Sequence, residues 1–171
     1  PYNKNFYKGV RIIKKQSPQK LIGASAANFV YDYYCLKDAV NSDVDIILEL
    51  GLITSSLSII FCNHNGKPIV TNLDGLEWKR SKWNWAIQKL TKSLENYGLK
   101  YSDYVISDNV GIQDYIKKEY NKESRFIPYG ADEVTEFNIE ILKTYDLQPY
   151  KYLFTVARIE PENNLEVMIE G

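Results

Sequence analysis

Between Asn72 and Trp83 the chain reads Asn-Leu-Asp-Gly-Leu-Glu-Trp-Lys-Arg-Ser-Lys-Trp, placing two carboxylates, three cations and two indoles beside a glycine. A plain connection would need only Ser, Asn and Gly. Asp74 and Glu77 stand three apart where a helix-type segment begins. One carboxylate can cap backbone N–H groups while the other faces a ligand, or both can be caps and surface charge. Lys79, Arg80 and Lys82 are equally open: they form a solvated face, or they receive a phosphate, for which Arg offers a planar donor fork and Lys a point charge. Trp78, Trp83 and Trp85 are all the tryptophans of the chain. Aromatic faces meet sugars and indoles flanked by cations suit a membrane surface, while core packing competes for both uses.

A second chemically dense corner is Val156-Ala-Arg-Ile-Glu-Pro-Glu-Asn-Asn-Leu. Arg158 follows an apolar strand-type run, and Pro161 suits the first turn of a helix. A cation there, beside a helix N-terminus, can hold a diphosphate; it can also pair with Glu160 or Glu162. The lone histidine, His64, lies in the polar turn Asn63–Pro68 without a nearby carboxylate to orient it, so a solvent-exposed ring is expected rather than a catalytic base. Cys35 and Cys62 sit in apolar segments without a CxxC or ligand-spaced His, which argues against zinc and a disulfide framework and for buried reduced thiols of a cytosolic protein.

The elements that must position these groups alternate. Val10–Lys14 is a short β-type run after Gly9. Phe29, Tyr33, Leu36 and Val40 share one face of a helix ending near Asn41. Asp45–Leu50 reads as a strand buried on both sides; Leu52–Phe61 fits helix or strand by periodicity, and its serines and the need for a crossover favour helix. Pro68–Asn72 is a strand delivering the Asp74 loop. A helix from Trp83 to about Tyr97 follows, with Trp83, Ile87, Leu90, Leu94 and Tyr97 toward the sheet and Gly98 as its stop. Asp103–Ser107 is a strand, and Ser107, Asp108 and Asn109 are three candidate N-caps for a helix carrying Ile112, Tyr115, Ile116 and Tyr120. A strand over Glu123–Pro128, an acidic helix around Phe137–Tyr145 and a last strand over Tyr152–Val156 complete the pattern. Such alternation predicts βαβ units: an α/β fold with a Rossmann-like parallel sheet flanked by helices.

With 171 residues, 44% hydrophobic and 25% charged, the composition is that of a domain able to bury a core. A net charge of -1 argues against a broad nucleic-acid footprint. The longest apolar run, Ile53–Cys62, is too short to span a bilayer, and no signal peptide is visible. The chain begins at Pro1 without a methionine and stops at Gly171 within helix-type sequence, as expected of a piece of a longer protein.

Three strings in register, Val70-Thr-Asn-Leu-Asp-Gly-Leu-Glu-Trp-Lys-Arg-Ser-Lys-Trp83, Ile127-Pro-Tyr-Gly-Ala-Asp132 and Val156-Ala-Arg-Ile-Glu-Pro-Glu-Asn-Asn164, resemble the rhamnosyltransferase-like branch of the large family 4 type of retaining glycosyltransferases with GT-B architecture. The resemblance spans essentially the whole chain. It implies an incomplete N-terminal domain of a GT-B enzyme: residues 1–148 as the acceptor-side Rossmann-like domain without its first strand-helix unit, and residues 149–171 as the start of the donor domain. Catalysis would lie in the cleft between the two domains, with a nucleotide-sugar as co-substrate and neither metal nor other cofactor. By motif match, Asp74 is the catalytic candidate. Gly75, Glu77, Trp78, Lys79, Arg80 and Lys82 are acceptor- or sugar-binding candidates, and Arg158 and Asn163 are donor-diphosphate candidates. Relatives often carry Lys at the position of Asn163. The implied function is transfer of a sugar, rhamnose by this branch, to a glycan or lipid-linked acceptor in cell-surface polysaccharide biosynthesis. Its place would be the cytoplasm, peripherally at the inner face of the cell membrane, with no nucleic-acid partner. The fragment alone is expected to be inactive, and its missing strand to leave edges that pair with a second copy. The alternative is a non-catalytic sugar- or partner-binding protein on the same fold. A membrane-surface role for Trp78–Trp85 would add to the first reading.

Overall fold

The computed structural model describes residues 4–171, so the first three positions of the expected acceptor-side domain lie outside it. The chain forms two compact units divided after Pro128.

The first unit opens with a hairpin, Phe6–Tyr7 (β1) against Val10–Arg11 (β2), antiparallel and separate from the main sheet. Its two linking residues, Lys8 and Gly9, both have positive φ (45° and 83°), as a tight two-residue hairpin turn demands. Helices Gln19–Ile22 (α1) and Ala24–Asn41 (α2) follow. Then strands and helices alternate: Ile47–Glu49 (β3), Leu52–Phe61 (α3), Ile69–Leu73 (β4), Trp85–Tyr101 (α4), Tyr104–Ser107 (β5), Val110–Tyr120 (α5) and Arg125–Phe126 (β6). A 3-10 turn, Glu77–Lys79, lies between β4 and α4. The four strands β3-β4-β5-β6 pair in chain order and all in parallel, so the expected Rossmann-like α/β architecture is present.

Chain order with right-handed crossovers places α3, α4 and α5 on one face of that sheet. Ile47, Ile69, Thr71, Leu73, Val105 and Ser107 are buried on that face, joined by Leu36 and Val40 of α2, Leu52 and Ile59 of α3, Leu99 of α4 and Ile112 and Ile116 of α5. The expectation that β3 is buried on both sides does not hold. Leu48 is 55% exposed, and Ile46 and Leu50 are exposed with it, because the crossover helices cover one face only.

Helix α4 departs from its sequence pattern in two ways. It starts after Asn84, whose side chain accepts the Ile87 N–H at 3.0 Å, and it continues through Gly98 to Tyr101. Gly98 is therefore no stop. A methyl group there would lie 2.3 Å from Leu52 Cδ1 and 2.9 Å from Leu52 Cγ, so the glycine is where α3 and α4 approach most tightly. To present it, the helix buries Thr91, Leu94, Glu95 and Gly98 and leaves Leu90 and Tyr97 exposed, rotated from the face that apolar spacing predicts.

Element ends are closed by side chains. Lys67 Nζ donates to the Val40 carbonyl (2.8 Å) and the Ser42 carbonyl beyond α2; Lys122 Nζ donates to the Ser102 carbonyl (2.7 Å) and the Leu99 carbonyl of α4. The Asp103 carboxylate accepts the Ile69 N–H at 2.7 Å, tying β4 to the turn before β5. His64 is half-buried rather than exposed: its Nε2 donates to the Ile59 carbonyl at 2.6 Å, as a carbonyl only accepts. Cys35 and Cys62 are free thiols and half-buried, less enclosed than expected. Among the described residues, no helix is long and apolar enough to cross a membrane.

The second unit, residues 129–171, holds Glu140–Thr144 (α6), a 3-10 turn at Pro161–Asn163 and Leu165–Glu170 (α7). The acidic helix is shorter than its sequence suggests, as is the strand expected over Glu123–Pro128 in the first unit. The run Tyr152–Val156 is not a strand: Leu153 and Phe154 are exposed and no described strand offers them hydrogen-bond partners.

Gly98→Ala tests the α3–α4 contact. An exposed helical Gly→Ala change gains up to ~1 kcal/mol, whereas overpacking here should cost about 1–3 kcal/mol. A lower denaturant midpoint is expected.

Candidate functional site

In a parallel sheet every strand delivers its carboxyl end to the same edge, and ligands of open α/β sheets bind beyond it. Here that edge carries Glu49 at the end of β3, Asp74 just after β4 and Asp108 just after β5. Partial desolvation pushes the Asp74 carboxyl above the usual carboxylate range; its own backbone N–H opposes the shift, and the Asp108 and Glu77 carboxylates add to it. Asp108 also accepts the Asn109 amide at 2.8 Å, while Asn109 caps α5 by accepting the Ile112 N–H at 2.9 Å. Asn72, at the end of β4, is 6% exposed, and its Oδ1 has no hydrogen-bond partner among the described residues.

At the β3 end, burial pushes Glu49 up to about 7, opposed by the Gly51 N–H at 3.3 Å and the Ser55 hydroxyl, and reinforced by Asp32 of α2. Asp32 is itself raised by burial, with the Thr54 hydroxyl opposing. Burial likewise raises the Cys35 and Cys62 thiols, which keeps them protonated and poor as nucleophiles. Carboxyl groups lifted toward neutrality can take a proton from a bound hydroxyl or share one with it.

The loop after Asp74 is held from behind. Trp78 Nε1 donates to the Tyr115 hydroxyl at 3.0 Å, and Lys92 Nζ donates to the same oxygen. Tyr115 in turn donates to Glu95 Oε1 at 2.5 Å, as does Tyr120 at 2.5 Å. One hydroxyl thus accepts twice and donates once, its full capacity. Glu95 is 0% exposed, and its Oε2 has no partner among the described residues. Lys92 also lies over the Trp78, Tyr115 and Tyr120 rings at 4.4, 4.7 and 5.1 Å. Burial disfavours its ammonium, but Tyr115, Glu95 and Glu119 outweigh that and raise its pKa.

The remaining loop residues divide their roles. Arg80 donates to Glu77 Oε1 at 3.0 Å and is the more buried of that pair. Lys79 lies over the Trp78 ring at 5.3 Å and Lys82 over the Trp83 ring at 4.8 Å. Trp83 is half-buried, with Nε1 unpartnered among the described residues, whereas Trp85 is 70% exposed at the start of α4. Gly75 is half-buried and follows Asp74 without a positive φ.

Over residues 7–132 the chain matches the family described as a domain of unknown function, DUF1972. The chain belongs to this family. No curated protein and no solved structure matches it. The DUF1972 span includes Asp74, Asp108 and the whole Trp78–Tyr115–Glu95 junction, and it ends at Asp132.

Beyond the DUF1972 span lie Arg158 and Asn163, in the second unit. The Arg158 guanidinium is 3.5 Å from Glu160 and largely exposed. Asn163 Nδ2 donates to the Arg158 carbonyl at 2.6 Å, so the two expected diphosphate residues are joined through backbone. Among the described residues no group of three or more His, Cys, Asp or Glu could hold a metal ion.

Sequence reasoning missed Glu49, Asp32, Lys92 and Glu95, and read Asp108 only as a cap. Strand-end position was the one available signal for Glu49 and Asp108. Glu95 gave none, since a Glu in a polar helix stretch reads as surface.

Tyr115→Phe should cost about 2–4 kcal/mol by stranding the Trp78 and Lys92 donors and half of the Glu95 ligation, and should alter tryptophan emission before unfolding. Glu49 gives a pH signature. Its folded value lies above the ordinary 4.5, so its contribution is complete below pH 4.5 and is lost as pH rises through about 7. Relative to wild type, Glu49→Gln should therefore gain about 2–3 kcal/mol across that window in urea titrations.

Proposed function

We propose that this chain is the acceptor-side part of a retaining glycosyltransferase with two Rossmann-like domains. The enzyme transfers a sugar from a nucleotide-sugar to a glycan or lipid-linked acceptor in cell-surface polysaccharide assembly. Rhamnose is the donor sugar favoured by the resemblance of the Asp74, Tyr129 and Arg158 strings. The reaction takes place on the cytoplasmic side of the membrane that holds the acceptor.

The observation that carries this reading is the carboxyl edge of the sheet. Asp74 stands just beyond β4 with its carboxyl raised by desolvation and by Asp108, two residues after a buried Asn72 whose side-chain oxygen has no donor among the described residues. A sugar hydroxyl can hydrogen-bond to the Asp74 carboxylate and give up its proton to it. Glu77, Trp78 and Gly75 line the same connection, with Trp78 held by Tyr115. The cations Lys79, Arg80 and Lys82 keep it positive enough to receive an acceptor bearing phosphate. In the donor half, Arg158 meets the diphosphate and Asn163 braces it from the backbone side.

The test is radiolabelled transfer from a panel of nucleotide-sugars by the natural protein carrying this chain, with donor binding followed by thermal shift. Asp74→Asn should lower turnover about 100-fold or more, the range of a lost proton-transfer group, and leave the donor-induced shift in place. Arg158→Ala should abolish that shift. Full transfer by Asp74→Asn would overturn the assignment of Asp74, and the absence of transfer from every donor would overturn the reading itself.

A further inference from the structure

We infer that the outer face shared by α3 and α4 is a docking surface for a second copy of this chain. The two helices meet where Gly98 of α4 lies against Leu52 and Ser56 of α3. Helical spacing then sets the residues on the outer side of that meeting line: Ile53, Leu57 and Ile60 on α3, and Leu90, Tyr97 and Tyr101 on α4. Leu94, one turn from both Leu90 and Gly98, is buried beneath them. Phe61 extends the row one turn past Leu57.

Scattered exposed apolar residues are ordinary, whereas a contiguous seam marks an interaction surface. Leu57 is 39% exposed, Phe61 76%, Leu90 56%, Tyr97 46% and Tyr101 45%. With about 200 Å² for an aromatic side chain and somewhat less for leucine, these five leave roughly 500 Å² open. Two such faces together bury about 1,000 Å², the area a specific protein–protein contact must reach.

Charge selects the occupant. Helix α3 holds no charged residue. The lysines of α4 stand on its other flank: Lys92 lies over the Tyr115 and Tyr120 rings of α5, and Lys89 and Lys100 share its side of the helix at spacings of three and eight. Glu95, the one acid of α4, is buried toward the same two tyrosines. A two-fold contact sets a patch against itself, so any charge within the patch would meet its own like. The seam carries none and is free of that repulsion. A bilayer surface draws on cations set beside the apolar groups, and these too are missing from the seam. The tyrosines at 97 and 101 add rings with polar tips, a side-chain type enriched where proteins meet. The surface lies on the outer side of the helices and owes nothing to sugar transfer at the Asp74 loop.

Sedimentation equilibrium of the natural protein carrying this chain, over a range of concentrations, tests the surface. Wild type should be a reversible dimer with a dissociation constant on the order of 10 μM, the weak end for such an area. Leu57→Lys and Leu90→Lys each set like charges across the contact from an exposed position. Each should weaken the dimer about 100-fold or more, with the far-UV circular dichroism of wild type retained. In wild type, amide exchange over Leu52–Phe61 and Leu90–Tyr101 should slow as concentration rises, a readout that needs no variant. A wild-type monomer at every concentration, a dimer that either variant leaves intact, or exchange that ignores concentration would overturn the inference. Flotation of a monomeric wild type on phosphatidylcholine vesicles would also overturn it, by giving the seam to a membrane.

Discussion

The first unit turns on a buried carboxylate. Glu95 has no exposed surface, and a charge in that position is tolerated only when hydrogen bonds replace its water. Two tyrosine hydroxyls from α5 reach its Oε1, and a lysine one turn earlier on α4 stands 3.9 Å away. Meeting that requirement forces α5 against α4 and brings the Tyr115 oxygen to a place where it can also take the Trp78 indole N–H. The loop between β4 and α4 is thereby tied at its middle to two helices, and Asp74 at its start inherits a defined position from the end of β4. Rigid support behind a loop is what lets the loop hold functional groups at fixed places.

The same helix pair imposes a second constraint at its other side. Gly98 lets α4 lie against Leu52 and Ser56 of α3, and the close approach leaves room for neither a methyl group nor a rotated helix. Together the Gly98 contact and the Glu95 junction fix the rotation of α4 about its axis. The sheet then sets the rest: four parallel strands send Glu49, Asp74 and Asp108 to one edge, where desolvation raises Glu49 and Asp74 above ordinary carboxylate behaviour, with Asp32 adding to the first and Asp108 and Glu77 to the second. Burial is the first cause in each case; the neighbouring carboxylates add to it.

Much of this was legible in the residues. Apolar runs separated by turn residues announced alternating strands and helices, and the parallel sheet followed from the spacing. The Asp74 loop stood out by its chemical density, and Asn109 belonged to a trio of caps from which the structure selected one. What was not legible has a common origin. Gly98 looks like a helix end because glycine is intrinsically poor in helices, but the neighbouring helix rewards its missing side chain. Leu90 and Tyr97 look like core because they are apolar, but the helix turned to bury Glu95 instead. Tyr152–Val156 has strand composition, and composition supplies no partner for its backbone.

By itself, then, the sequence determined the class of fold, the order of its elements and the loop on which chemistry would concentrate, since periodicity and turn chemistry are local properties written residue by residue. Only the tertiary structure decided which face each helix buries, that Trp78 is held by Tyr115, that Asp108 stands near enough to Asp74 to shift it, and that Glu95 is wholly buried. Those are relations between residues 20 or more positions apart. They depend on distance through space and on exclusion of water, neither of which a local pattern contains.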